Sequence, residues 1–299
     1  MNPSSNSALR LAYISGGFPV WALFVAESQG FFEAHGVKCS VTHTGASTAQ
    51  MQGLREGKFD VGLQLPDHVV RAGLNGTKLC VLAAQSHPPD VALVASPSIQ
   101  NIEQLKGHRI AVDGARSGYA LLLVQLLSSL GWTSNDYQLV EVGDSQQRVQ
   151  ALRSGELMAS FINPPLDKAL VNDGFVRLTT TRQAFPSYPG PVVAARSEWA
   201  EAHPLLAKGF QRAWADAWRW LLDPSNQAQA IEIALKHLGA EAPSALNALQ
   251  NLQRQGMPQI SEEGMSQVID LVWRNESVAI SRCKTIHPLL IRHYHFPIH

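Results

Sequence analysis

The chain has 299 residues, 45% of them hydrophobic and 16% charged, with 24 Lys+Arg against 24 Asp+Glu. That length suggests two domains or one large one, and the apolar fraction is enough for a sizeable core. Zero formal net charge, with no basic run and no basic amphipathic helix, argues against nucleic acid and anionic membrane as partners.

In chain order, Met1–Arg10 lacks the charged start and apolar run of a secretory signal peptide. No apolar stretch reaches the roughly 18 residues of a membrane span. Two places of work follow, cytoplasmic, or exported with the signal already removed. Leu9-Arg-Leu-Ala-Tyr-Ile-Ser15 reads as a buried strand broken by Gly16-Gly17, with Pro19 placed to start a helix. Val20 to Glu33 is apolar at helical spacing and ends at His35-Gly36. Val37 to Thr44 alternates as a strand, Gly45 breaks it, and Ser47 or Thr48 can cap a helix through Leu54. Phe59 to Leu65 is a strand, and Pro66-Asp67 opens the next helix. A second series begins at Leu105–Asp113 with a strand and continues with a helix from about Ser117 to Leu130, stopped by Gly131. Tyr137 to Val142 is a strand, Asp144 or Ser145 caps a helix to Arg153, and Leu157 to Ile162 is a strand before Asn163-Pro-Pro165. Arg177 to Thr181 and Val192 to Ala195 read as strands, the latter as a return crossing. From Ala202 the chain is mostly helical, with Trp214, Trp218 and Leu221-Leu222 on one face. The tryptophans Trp214, Trp218, Trp220 and Trp273 read as core. The three cysteines, Cys39, Cys80 and Cys283, form no CxxC pair, and Cys39 and Cys80 read as small hydrophobes in apolar strands.

The two series match each other. Leu54-Arg-Glu-Gly-Lys-Phe-Asp-Val-Gly-Leu-Gln-Leu-Pro-Asp67 aligns with Leu152-Arg-Ser-Gly-Glu-Leu-Met-Ala-Ser-Phe-Ile-Asn-Pro-Pro165, with Leu, Arg, Gly and Pro in register 98 residues apart. Two copies of a strand–helix unit imply a pair of similar lobes rather than a solenoid. The fold class expected is α/β: two lobes, each a mostly parallel sheet flanked by helices, joined by a hinge of two crossings. A ligand cleft lies between them, and a helical C-terminal segment sits on the first lobe. The boundaries are residues 1–96 with 192–299 for lobe I and 97–191 for lobe II.

Val25–Val37, Leu54–Gly62 and Ile102–Val112 resemble, in order, motifs of the ABC-importer solute-binding proteins for nitrate, sulfonate, taurine and thiamine-pyrimidine precursors. The resemblance spans roughly residues 9–250. It implies the periplasmic binding protein type II fold, a small-molecule ligand, a permease and an ATPase as partners, a monomer, and a periplasmic location. The three motifs are mainly structural and say little about the ligand. The C-terminus, with His287, His293, His295 and His299, departs from the family and reads as an exposed irregular tail without compact metal-ligand spacing.

Ligands of open parallel α/β sheets bind beyond the carboxyl ends of the strands, where helix N-termini favour anions. The strand-end loops offer Gly17, Phe18, Trp21, Thr44, Ser47, Thr48, Pro66 and Asp67 from the first lobe. The second offers Arg116, Ser117, Tyr119 and Asn163. Closing the lobes would gather them on one cleft around a small organic anion. Ser47 and Thr48 suit an oxyanion, and Arg116 a bidentate ion pair. Phe18, Trp21 and Tyr119 suit aromatic walls, and Asn163 a neutral hydrogen bond. Asp67 would oppose an anion. The rival reading is a cytoplasmic enzyme on the same lobes, acting on a small aromatic or heterocyclic substrate with His43, Asp67, His68 and His87 as acid–base groups. No nucleophile motif, metal signature or cofactor fingerprint is visible, so neither metal nor cofactor is expected.

Overall fold

A computed structural model describes residues 8–14, 16–115 and 117–276. Ser15, Arg116, Cys283 and the four C-terminal histidines lie outside the described residues. Over the described residues the chain divides into two units: one holds residues 8–87 and Pro189–Ser266, the other Pro88–Tyr188 and residues 267–276.

The first unit starts with β1 (Leu9–Tyr13), α1 (Trp21–Ser28), α2 (Phe31–Ala34), β2 (Cys39–His43), α3 (Ser47–Arg55), β3 (Val61–Gln64), α4 (Pro66–Leu74) and β4 (Leu79–Ala84). The second unit follows with β5 (Ala92–Ala95), β6 (Arg109–Val112), α5 (Gly118–Ser129), β7 (Gln138–Glu141), α6 (Ser145–Arg153), β8 (Ala159–Ile162), α7 (Leu166–Asn172), β9 (Val176–Thr180) and α8 (Thr181–Ala184). The chain then returns as β10 (Val192–Arg196), α9 (Ser197–Ala202), α10 (Pro204–Leu222), α11 (Gln227–Leu238), α12 (Ala242–Gln255) and α13 (Glu262–Glu276).

Each unit holds a five-stranded sheet, in the orders β2-β1-β3-β10-β4 and β7-β6-β8-β5-β9. The fourth strand is antiparallel in both: Val193 lies opposite Leu63, and Leu93 opposite Phe161. The other strands run parallel, as the alternating strand–helix pattern requires. Both sheets are covered on both faces, so their strands read as continuous apolar runs. In the first unit Leu9, Leu11, Val61 and Leu63 pack under Trp21, Phe210, Trp214 and Trp218. In the second, Leu93, Ile110 and Phe161 pack with Leu123 and Leu127 on one face, and Val94 and Ile162 pack with Val149 and Leu152 among another group.

The last helix departs from the expectation that all C-terminal helices belong to the first lobe. Helix α13 begins in the first unit and ends in the second, where Leu271, 3% exposed, joins the apolar cluster around Leu105 and Leu122. The helix expected over Val20–Glu33 is split at Gly30, whose φ of 69° ends α1 and lets the chain restart as α2.

The repeat is visible in side-chain bonds. Gln50 and Arg148, 98 residues apart, are both buried. Gln50 Nε2 donates to the carbonyl of Leu63 at 3.1 Å, and Arg148 Nη2 to that of Phe161 at 3.3 Å. Leu63 and Phe161 are separated by the same interval. Gly62 lies opposite Ala12 in β1, and its counterpart Ser160 lies opposite Ala111 in β6. In the first unit Gln50 Nε2 also reaches Ala12 O at 2.9 Å; in the second, Ser160 Oγ donates to Ala111 O at 3.0 Å. One slot is therefore filled by glutamine over glycine in the first unit and by arginine beside serine in the second.

Candidate functional site

At the end of β1, Gly17 takes φ 89° and ψ −173°, a conformation that favours glycine, and Pro19 sits in the short 3-10 turn Phe18–Val20 that follows. Phe18 is half-buried, with its ring centroid 5.3 Å from that of Trp21. Trp21 itself is 1% exposed and donates its indole N–H to Ala230 O at 3.1 Å. It is a core residue, and its face is not free to wall a ligand.

At the end of β2, Thr44 is tied back to β1. Its backbone N–H donates to Tyr13 O at 2.9 Å, and its hydroxyl reaches the carbonyls of Tyr13 and Ala46 at 3.1 and 3.3 Å. The capping position of α3 is Ala46, which has no hydroxyl to offer, so the expected cap by Ser47 or Thr48 does not form. Those two residues are instead the first two of the helix. Their hydroxyls and the terminal N–H groups carry no side-chain cap.

At the end of β3, Leu65 occupies the cap of α4 without a side-chain bond, and Pro66 is the first helical residue. Asp67 is 1% exposed and paired with Arg71 Nη1 at 2.7 Å. Its expected opposition to an anion is thus answered locally by Arg71. Helices α3 and α4 border a hollow of about 230 Å3 lined by Ser47, Thr48, Arg55, His68, Arg71 and Thr77, among others. The His68 ring leaves Nδ1 buried and without a hydrogen-bond partner among the described residues. Burial holds its pKa below the ordinary value of 6.5, Asp67 pulls it back up less strongly, and Arg71 adds to the lowering.

In the second unit, Ser117 caps α5. Its Oγ accepts from Ala120 N at 3.1 Å and donates to Asp113 Oδ1. Tyr119 is half-buried and packs against the unit's core. Asp144, not Ser145, caps α6 in a reciprocal capping box with Gln147. Asn163 Nδ2 donates to Ser145 Oγ at 3.0 Å, and Arg148 Nη2 donates to the same oxygen at 3.0 Å. Ser145 and Arg148 were not among the site residues expected from the sequence. The repeat interval could have found them, because it maps Ser47 onto Ser145 and Gln50 onto Arg148.

Three of the four acid–base candidates of the enzyme reading, all but His68, have local partners. His43 Nε2 lies 3.0 Å from Ile14 O, with its ring stacked on Tyr13 at 4.8 Å. His87 Nε2 lies 2.8 Å from Gly256 O, and Asp67 is engaged by Arg71. Among the described residues no group of three or more His, Cys, Asp or Glu side chains is arranged to hold a metal ion. None of the described helices is long and apolar enough to cross a membrane.

The sequence model of the NMT1-like family matches residues 2–235. An aliphatic sulfonates-binding protein of Escherichia coli (strain K12) is 25% identical over 283 residues, covering 92% of this chain and 86% of the relative. The taurine-binding periplasmic protein of the same organism is 26% identical over 206 residues, covering 59% of this chain and 62% of the relative. Among solved structures, the periplasmic aliphatic sulphonate binding protein SsuA from Escherichia coli superposes with a TM-score of 0.71 at 24% identity, covering 91% of this chain and 88% of that one. The fold is shared across nearly the whole chain, as the three motifs and the repeat led one to expect.

Proposed function

This chain belongs to the NMT1-like family, and on that premise we propose that it is a solute-binding protein of an ABC import system. Its solute is a small organic oxyanion of the sulfonate class. It passes this solute to a permease driven by an ATPase, in the periplasm. The names of the sulfonate- and taurine-binding relatives support the ligand class, and "periplasmic" in two of them supports the location.

One observation of the structure carries the reading. The helices that follow β1, β2 and β3 all start without a side-chain cap, at Val20, Ala46 and Leu65. In the second unit those that follow β6 and β7 are capped by Ser117 and Asp144, and only α7, after β8, starts without a side-chain cap, at Pro165. Helices α3 and α4 therefore present backbone N–H groups without side-chain caps at the positive ends of their dipoles, beside the Ser47 and Thr48 hydroxyls, while α1 runs on from a 3-10 turn in which Val20 N–H bonds Gly17 O. An oxyanion's oxygens satisfy such donors. The sequence adds Phe18 and Tyr119 as candidates for contact with the organic part and Arg116 as a candidate partner for its charge.

Thermal melts with ethanesulfonate, 2-aminoethanesulfonate, nitrate and propionate test this. A ligand that binds only the folded chain raises its stability by mass action, by about 2.7 kcal/mol at a hundred times Kd. A rise with the sulfonates and a smaller one with propionate is expected, and no rise with any of the four would refute the reading. Arg116→Ala should weaken sulfonate binding by about 1.5–3 kcal/mol, the range for a hydrogen bond to a charged group. Unchanged affinity would remove Arg116 from the site.

A further inference from the structure

Arg148 is 6% exposed, yet its acceptors among the described residues are all neutral: Gly143 O, Ser145 Oγ and Phe161 O. Its Nε has no hydrogen-bond partner there. A buried guanidinium hydrogen-bonded only to neutral oxygens is a costly arrangement, and the charges of Asp113 and Asp144 offset only part of the cost of its burial. The fold does not demand it, because Gln50 fills the equivalent slot of the first unit and makes the equivalent bond with no charge. The two nearby carboxylates are exposed and occupied elsewhere. Asp144 accepts from Gln147 N at 2.9 Å, and Asp113 accepts from Ser117 Oγ.

The guanidinium acts at the first residue of α6. Ser145 Oγ accepts from Arg148 Nη2 and from Asn163 Nδ2, each at 3.0 Å. A hydroxyl has two acceptor lone pairs and one donor hydrogen. With both lone pairs used, the hydrogen is left to donate, and the charge-assisted bond from Arg148, with the neutral one from Asn163, makes it a stronger donor. Ser145 is half-buried, so a ligand can reach it.

From this geometry we propose that Ser145 is the second unit's donor to the bound oxyanion. Arg148 is the buried positive charge behind it, and Asn163 is a positioning residue that fixes the hydroxyl. The inference rests on the solute-binding reading above and adds a subsite to it. Ser47 and Ser145 occupy equivalent places in the repeat, each the first residue of its helix, after β2 and β7 respectively. The second differs in being backed by a charge, so it selects for an anion over a neutral isostere.

The test is calorimetric titration of the full chain with ethanesulfonate and with its neutral isostere ethanesulfonamide, alongside thermal melts. Ser145→Ala is expected to weaken ethanesulfonate by about tenfold, the scale of a charge-assisted hydrogen bond, and to lower the melt as well, since Arg148 and Asn163 lose their shared acceptor. Arg148→Gln, which copies the first unit, is expected to erase most of the preference for the sulfonate over the sulfonamide. Arg148→Lys keeps the charge without the fork and should retain part of that preference. Should Arg148→Gln fail to fold, Ser145→Ala and Asn163→Ala decide alone. Unchanged ethanesulfonate affinity in Ser145→Ala, with Ser47→Ala weakened, overturns the subsite and leaves the solute-binding reading standing. A parent chain that binds neither ethanesulfonate nor nitrate overturns both.

Discussion

Gly209 shows how tightly single residues are held. A Cβ there would lie 2.6 Å from the backbone oxygen of His35, where α10 crosses the end of α2, and 2.9 Å from Val37. Backbone cannot swing aside as a side-chain tip can, so Gly209→Ala should cost about 1–3 kcal/mol or more in urea melts. Gly62→Ala meets only side chains, Leu54 at 3.0 Å and Gln50 at 3.3 Å, and should cost less. His68 gives the pH dependence. Its pKa is depressed in the folded chain, so between that value and the ordinary 6.5 the unfolded chain holds more protons. The contribution is fully present above pH 6.5 and is lost as pH falls toward the folded value. The urea midpoint should therefore drop from pH 7.5 to pH 5, and less in His68→Asn; an identical drop in both would remove His68 as the source. Cys39 is the opposite case: burial, then Glu27 and Glu33, push its thiol up to about 12, which agrees with reading it as a small hydrophobe.

Among the elements, capping separates stability from binding. Asp144→Ala removes a capping box and should cost about 1 kcal/mol of unfolding free energy. Ser47→Ala caps nothing and should change stability by less than about 0.5 kcal/mol while weakening the sulfonate, so melts and titrations on this pair should move in opposite order. Most helices were legible because glycine marks their ends, as at Gly57, Gly131, Gly155 and Gly239. Strand β5 was not read, and β4 only as the apolar run around Cys80, since short runs such as Ala92-Leu-Val-Ala95, buried at every position, carry no alternation to detect. Helix α12 escaped because only Ala245 and Leu249 of its residues are buried, too narrow a stripe to stand out. The cap of α3 was misplaced by one or two residues and that of α6 was left between Asp144, which forms it, and Ser145, because a side chain near a helix start does not say which residue adopts the extended backbone. The strand-end loops were legible as candidates. Arg148 was not, because a buried charge without a carboxylate is visible only once its neighbours are known.

For the whole molecule, the duplicated half foreshadowed the two sheets, but not the strand that each places fourth and antiparallel. That strand decides what can be cut out. Residues 88–188 contain every strand of the second sheet, so this fragment should keep its circular dichroism, weakened by the loss of Leu271. Residues 1–87 should not, because β4 is joined to β3 only through β10, which lies past the second unit. A folded 1–87 fragment would contradict the pairing. The same strand order reverses the usual sequence of events on the ribosome. At 5–20 residues per second, roughly ten seconds separate the emergence of β4 from that of β10. During that interval the portion synthesised first waits with an incomplete sheet, while the portion synthesised second can already close its own. The nascent chain thus acquires order from the middle outward, and its earliest exposed liability, one that a holdase would have to cover, is the unfilled gap beside β3.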